Sequence, residues 1–153
     1  MSKEKKDKVT DIWSAIREET RKRVKAEPVL ASFFHSTILE YSTFSSAIAN
    51  QLANDLSNIS VQPLMLRNVI KETIDSNQHV IKDISLDLVA VKERDPACRY
   101  FSSPLLFFKG FRALQAHKVS NLLWLADRHS LALFIQGRSS EVYGVDIHPA
   151  ASI

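Results

Sequence analysis

Apolar residues recur at a helical period along almost the whole chain, and prolines fall where such stripes would start or stop. Val9, Ile12, Trp13 and Ile16 occupy i, i+3, i+4 and i+7, one stripe of an amphipathic helix. The stripe ends near Ala26, because Pro28 disfavours helix at the residue before it and suits the first turn of the next helix. That second helix carries Leu30, Phe33, Phe34, Ile38 and Tyr41. Ser42 or Thr43 can cap a third, whose Phe44, Ile48, Leu52 and Leu56 stand four apart. Pro63 opens a fourth, with Leu66, Val69, Ile70 and Ile74. Ser76-Asn77 punctuates the chain before a fifth, with Val80, Ile81, Ile84, Leu88 and Val91, which stops by Arg94 because Asp95 precedes Pro96. Residues 94–103 read as a loop. Pro104 then opens the longest apolar helix, reaching Leu125 and apolar on more than one side, which predicts a central, buried position. Gly110 within it predicts a close helix crossing, since an interior helical glycine otherwise costs about 1 kcal/mol against alanine. A last helix spans 130 to about 139.

After this the period changes. Residues 142–147 alternate with β character and are followed by the turn residues His148-Pro149, so the chain reads as a helical unit over 1–141 and a short strand-like tail over 142–153. Three glycines and five prolines in 153 residues argue against an all-β sandwich or a disordered chain. The expected fold class is all-α, in one domain's length of sequence. No apolar run of about 18 residues exists, which predicts no membrane span. The charged N-terminus has no apolar stretch behind it, which predicts no secretory signal.

The net charge is +3. Its densest part, Lys3, Lys5, Lys6, Lys8, Arg17, Arg21, Lys22, Arg23 and Lys25, is interleaved with Glu4, Asp7, Asp11, Glu18 and Glu19. That interleaving reads as a solvated helix face and not as a nucleic-acid surface.

Few residues carry chemistry by spacing alone. His35, His79, His117 and His129 have no partner at i+4 and read as ordinary helix histidines; no metal site is expected. Cys98, the single cysteine, reads as an unreactive loop thiol with no internal disulfide and suits a reducing compartment. Asp95 before Pro96 is a turn starter. Asp146 and His148 fall on one face of an extended segment, where a carboxylate could orient an imidazole base, although an i, i+2 pair of this kind also arises by chance.

Taken in order, the segments resemble serine O-acetyltransferase. Glu27-Pro-Val-Leu-Ala-Ser-Phe-Phe-His35, Arg94-Asp-Pro-Ala97, Tyr100 and Pro104-Leu-Leu-Phe-Phe-Lys-Gly-Phe111 are similar to that family's signatures. Leu123-Trp124, Arg128, Leu131-Ala132 and Gln136 follow in the family's order. Val145-Asp-Ile-His-Pro-Ala-Ala151 resembles the opening of its hexapeptide-repeat, left-handed parallel β-helix. The resemblance implies acetyl transfer from acetyl-CoA to L-serine in cysteine biosynthesis, in the cytoplasm. It implies a catalytic histidine oriented by Asp146, and serine bound through Asp95, which would also meet L-cysteine as feedback inhibitor.

It further implies a homo-oligomer, a trimer or dimer of trimers, with O-acetylserine sulfhydrylase as partner of the full-length family, and no resident cofactor, metal, nucleic acid or membrane. His148 does not match the family base, which lies in an Asp-His-Ala-Thr-Gly-like segment that these 153 residues do not contain. Nor do they contain the CoA-binding coils or the tail that docks the sulfhydrylase. The chain alone is therefore expected to be inactive, and the rival expectation is a non-catalytic oligomerisation module. Arg112, where the family commonly has histidine, and Ala126-Asp127, in place of Gln-Gly, read as surface or turn variation.

Overall fold

Residues 12–153 are described in a computed structural model, and among them every regular element is helical. Val9 and the lysines before it lie outside the described residues. The helices are α1 (Ile12–Ala26), α2 (Ala31–Phe34), α3 (Phe44–Leu56), α4 (Pro63–Asp75), α5 (His79–Arg94), α6 (Ser102–Phe107), α7 (Lys109–Leu125) and α8 (His129–Tyr143). Two pairs of sequence neighbours, α3 with α4 and α7 with α8, make the most extensive packing.

The stripes read from the sequence form the core. Ile12 and Ile16, Ile48 and Leu52, Leu66 and Ile70, and Ile84 and Leu88 are all buried. Thr43 is the cap of α3, accepting the Ser46 N–H at 3.3 Å. Trp13 ties α1 to that cap: its ring stacks on Phe44 at 5.4 Å and its Nε1 donates to the Ser42 carbonyl at 3.1 Å.

The second helix is shorter and more irregular than its stripe suggests. Pro28 starts a 3-10 turn, Pro28–Leu30, that runs into α2 and then a π turn, His35–Leu39, so Tyr41 falls outside it. The widening has a local cause. The hydroxyls of Ser36 and Thr37 both donate to the Phe33 carbonyl, at 3.2 and 2.6 Å, and compete for an acceptor of the helix ladder.

The long helix expected from Pro104 to Leu125 is two helices. Phe108 stands between them in an extended conformation, φ −93°, ψ 105°; its N–H ends α6 on the Pro104 carbonyl and its carbonyl starts α7 at the Arg112 N–H. On one continuous helix Leu106 and Phe111 would point about 140° apart, at roughly 100° per residue. The bend lets both reach the core. It also corrects the reading of Gly110. That residue lies at the second position of α7, exposed, and an added Cβ would meet nothing within 4 Å, so it serves no close crossing. The α7 helix is nonetheless largely buried, packed against α8, α4, α5 and α6.

A Schellman arrangement closes α7: Asp127 N–H bonds the Trp124 carbonyl and Arg128 N–H the Leu123 carbonyl, at 3.1 and 2.9 Å. Asp127 takes the left-handed conformation, φ 60°, which aspartate tolerates better than most non-glycine residues. Ala126-Asp127 thus lies in a turn, as read.

The tail differs from its reading. The last helix continues to Tyr143, four residues past the expected end, and stops at Gly144 with φ 74°. No strand follows among the described residues; 145–153 is irregular chain with a turn at Pro149-Ala150. A strand needs a ladder partner, and among the described residues the tail carbonyls at 145, 149 and 151 are met by side chains instead. Ser139 Oγ meets Val145 O at 3.2 Å, Asn121 Nδ2 donates to Pro149 O at 2.7 Å, and His117 Nε2 meets Ala151 O at 3.1 Å.

Candidate functional site

Asp95 leaves the end of α5 in an extended conformation, φ −102°, ψ 107°. Its Oδ1 accepts the Ala97 N–H at 2.8 Å and its carbonyl accepts the Cys98 N–H at 3.0 Å. The turn-starter reading is therefore correct locally, but it occupies only one carboxylate oxygen. The half-buried carboxylate has no other hydrogen-bond partner among the described residues, so Oδ2 remains able to accept from a cationic ligand.

The loop that follows is pinned from α1, 82 residues away in sequence. Glu19 accepts the Phe101 N–H at 3.1 Å and the Ser102 N–H, which satisfies two amides at the start of α6 that the helix itself leaves without a partner and places a negative charge at that N-terminus. Arg23, one turn along α1, donates to Ser102 Oγ at 2.9 Å and lies 4.9, 4.9 and 5.4 Å from the ring centres of Phe34, Tyr100 and Phe107. Glu19 and Arg23 are thus not members of a solvated face. Cys98 sits under this loop, 2% exposed, its Sγ 3.4 Å from the Tyr100 carbonyl; burial pushes its thiol above the ordinary value. That suits the unreactive reading.

The second predicted site residue, Asp146, lies just beyond α8. It is exposed and its Oδ1 accepts from Gln136 Nε2 at 2.7 Å. His148 makes no hydrogen bond to it. Its Nδ1 accepts the Ala150 N–H at 3.1 Å, and its ring meets Trp124 edge-on at 4.9 Å, while His129 packs on the same indole at 4.1 Å. His117, read as ordinary, is instead a tail clamp. With Nε2 at the Ala151 carbonyl, it must carry the proton there, leaving Nδ1 as a bare acceptor. Burial pulls its pKa below the ordinary histidine value. Nδ1 faces no partner, and neither does the buried Ser120 Oγ; both residues line a cavity of about 10 Å³ between α7, α8 and the tail, the size of a single water.

Below the tail, Asp55 of α3 gathers three donors: Arg112 Nη1 at 2.7 Å, Tyr143 Oη at 2.8 Å and Gln51 Nε2 at 3.2 Å. Burial, with the Asp55 carboxylate beside it, holds the Tyr143 phenol far above its ordinary pKa. Arg112 is therefore no surface variation. It joins α7 to α3, and its guanidinium also lies over the Tyr143 ring at 5.5 Å. Arg138 completes the seat by donating to the Leu56 and Ser57 carbonyls, both at 3.0 Å, at the end of α3.

The structure thus holds Asp95 and Asp146 on two separate, well-fixed segments and joins neither to a histidine. Among the described residues no three His, Cys, Asp or Glu side chains are grouped as a metal centre, and no helix is long and apolar enough to cross a membrane. The arrangement offers carboxylates for binding and orientation.

A family model described as serine acetyltransferase, N-terminal, matches residues 12–116, which include α1 to α6 and the Asp95 loop. The chain belongs to the serine acetyltransferase family. Serine acetyltransferase of Haemophilus influenzae is 44% identical over 143 residues, 94% of this chain and 54% of that protein. The Neisseria gonorrhoeae serine acetyltransferase solved in complex with serine superimposes with a TM-score of 0.89 at 45% identity, over 92% of this chain and 58% of that one. A serine acetyltransferase in complex with cysteine gives 0.91 at 44%, covering 94% and 60%; one in complex with CoA gives 0.92 at 43%, covering 95% and 61%. The chain spans 54–61% of the length of these relatives. The fold of the helical part is therefore that of the N-terminal part of serine acetyltransferases.

Proposed function

We propose that these residues are the helical N-terminal domain of a serine O-acetyltransferase, which moves the acetyl group of acetyl-CoA to the hydroxyl of L-serine. The observation that carries the reading is the family match across the Asp95 loop, together with the one carboxylate oxygen that Asp95 leaves uncommitted there. A serine hydroxyl is a poor nucleophile at neutral pH and needs a base as it attacks the thioester. Asp146 would orient that base, a histidine outside these residues, through its second oxygen while Gln136 holds the first. Asp95 would accept from the ammonium group of serine, and equally from that of cysteine as feedback inhibitor. Related structures solved with serine, cysteine and CoA support these ligands.

In this reading the tail leads into a left-handed parallel β-helix, with the helical domain handing over at about Gly144 and not at residue 141. The clamps from His117, Asn121 and Gln136 would set the direction in which the first coil starts. The complete protein would act in cytoplasmic cysteine biosynthesis as a trimer or dimer of trimers, with O-acetylserine sulfhydrylase as partner.

The test is thiol release from acetyl-CoA in the presence of L-serine. The 153-residue polypeptide should give none. A chimaera that continues after Ile153 into the β-helix of the H. influenzae relative should turn over. Turnover by the polypeptide alone, or a folded chimaera without activity, would contradict the proposal. The exposure of Val29, Tyr100 and Phe107, at 87%, 42% and 46%, favours a second role for the same residues as an oligomerisation module, and sedimentation as a strict monomer at high concentration would remove it.

A further inference from the structure

A groove of about 600 Å³ runs between α1 and the π turn, and its α1 wall is basic. It is lined by Arg17, Arg21, Lys22 and Lys25 from α1, with Glu18, Val24, Leu39 and His35 completing it. Arg17, Arg21 and Lys25 fall at i, i+4 and i+8, one ridge along α1, rising about 12 Å from first to last. Four cations thus face one carboxylate. Glu18 is shared between Arg21 at 3.4 Å and Lys22 at 3.7 Å, and both pairs are exposed. Lys25 has no ion pair among the described residues.

Two features distinguish the groove from a solvated helix face. Arg17 is pre-set, with Nη2 donating to the Leu39 carbonyl at 3.3 Å, while its Nε is shielded from solvent and has no partner. The facing wall is the π turn, opened by the exposed His35, and such turns recur at ligand sites. The helix macrodipole accounts for cations in the last turn of α1 but not for Arg17 and Arg21, which lie further back.

We propose that this groove binds a small organic anion carrying two or more phosphates, of the nucleoside diphosphate class. Guanidinium forks match phosphate oxygens, and a ridge of three cations with Lys22 beside it matches successive phosphates better than one. The volume suits a ligand of that size, and Val24 and Leu39 supply the apolar wall for its non-phosphate part. The groove shares no lining residue with Asp95 or Asp146, so the proposal stands or falls apart from the acetyltransferase reading.

The experiment is calorimetric titration of the 153-residue protein with ADP and with inorganic phosphate, at constant ionic strength so that screening is equal. ADP should saturate one site per chain, and inorganic phosphate should bind at least about tenfold more weakly, the loss of one charge-assisted contact. The double variant R21Q/K25Q, whose side chains are exposed and leave the core untouched, should weaken ADP at least about tenfold by the same argument. Glu18→Gln should tighten it, by removing the competing carboxylate. Lys82→Gln, an exposed cation on α5, should leave it unchanged. No saturable binding of ADP, equal affinity for inorganic phosphate, or equal weakening by Lys82→Gln would each overturn the proposal.

Discussion

Replacing Glu19 tests whether the Asp95 loop is held from α1. Its carboxylate accepts two amide hydrogens at the start of α6, and Ser102, which owns one of them, is fully buried. In Glu19→Ala those amides lose a charged acceptor and gain no water in exchange. A hydrogen bond to a charged group is worth about 1.5–3 kcal/mol, and loss of a helix cap about 0.5–2 kcal/mol. The two bonds share one carboxylate and are not additive, so the local cost is about 3 kcal/mol. Cys98 reports it. The thiol lies in the loop at 2% exposure and reacts only when the loop opens. A cost of about 3 kcal/mol raises the open population roughly 100-fold, since 1.4 kcal/mol is tenfold. The rate of Cys98 modification by a disulfide reagent under native conditions should rise by about that factor. Glu19→Gln, which keeps a neutral acceptor, should raise it only about tenfold. Urea denaturation in parallel separates loop opening from global unfolding. A Cys98 rate in Glu19→Ala equal to that of the parent would refute the reasoning, because the loop would then be held without α1.

Burial keeps His117 neutral in the fold, with a pKa below the ordinary value of 6.5, so the unfolded chain binds the proton first as pH falls. Stability from this residue should be intact above pH 6.5 and decline as pH drops toward the folded pKa, and denaturation midpoints of His117→Gln should lack that part of the slope. Gly110→Ala should raise stability by up to about 1 kcal/mol, because the site is open and helical; destabilisation in urea would mean that the glycine has a contact after all. In the chimaera with a relative's β-helix, Asp146→Asn should lower kcat with little change in the serine KM, since it would disturb the orientation of the base. A changed KM with kcat intact would place Asp146 on the substrate instead.

The helix faces and several ends were legible because they depend on near neighbours in sequence. Ile12 and Ile16, or Leu66 and Ile70, needed only a period of 3.6, and Thr43 and Pro63 only local backbone chemistry. The break at Phe108 was not legible. Leu-Phe-Phe-Lys continues an apolar helix by every local rule, and the bend follows from where the core lies. Arg112 looked like surface variation because its partners, Asp55 and Tyr143, are distant in sequence. Glu19 and Arg23 followed an alternating charge pattern, and nothing near them in the chain reveals that they turn inward to the loop at 101–102. The alternation of the tail predicts a strand, which is sound for side chains but silent on where the backbone carbonyls find partners. The resemblance singled out Asp95 and Asp146. The residues that hold the tail next to Asp146, namely His117, Asn121 and Ser139, carried no signal beyond ordinary helix composition.

The central claim is that Asp95 supplies one carboxylate to serine and cysteine alike, and it meets its most direct test in steady-state kinetics of the chimaera carrying Asp95→Ala. Loss of one charge-assisted contact, about 1.5–3 kcal/mol, should raise the serine KM and the cysteine inhibition constant together by roughly 10- to 150-fold, with helix content by circular dichroism unchanged. A folded variant whose serine KM and cysteine inhibition both stay at parental values would contradict the account, and would leave Asp95 as the starter of a turn and nothing more.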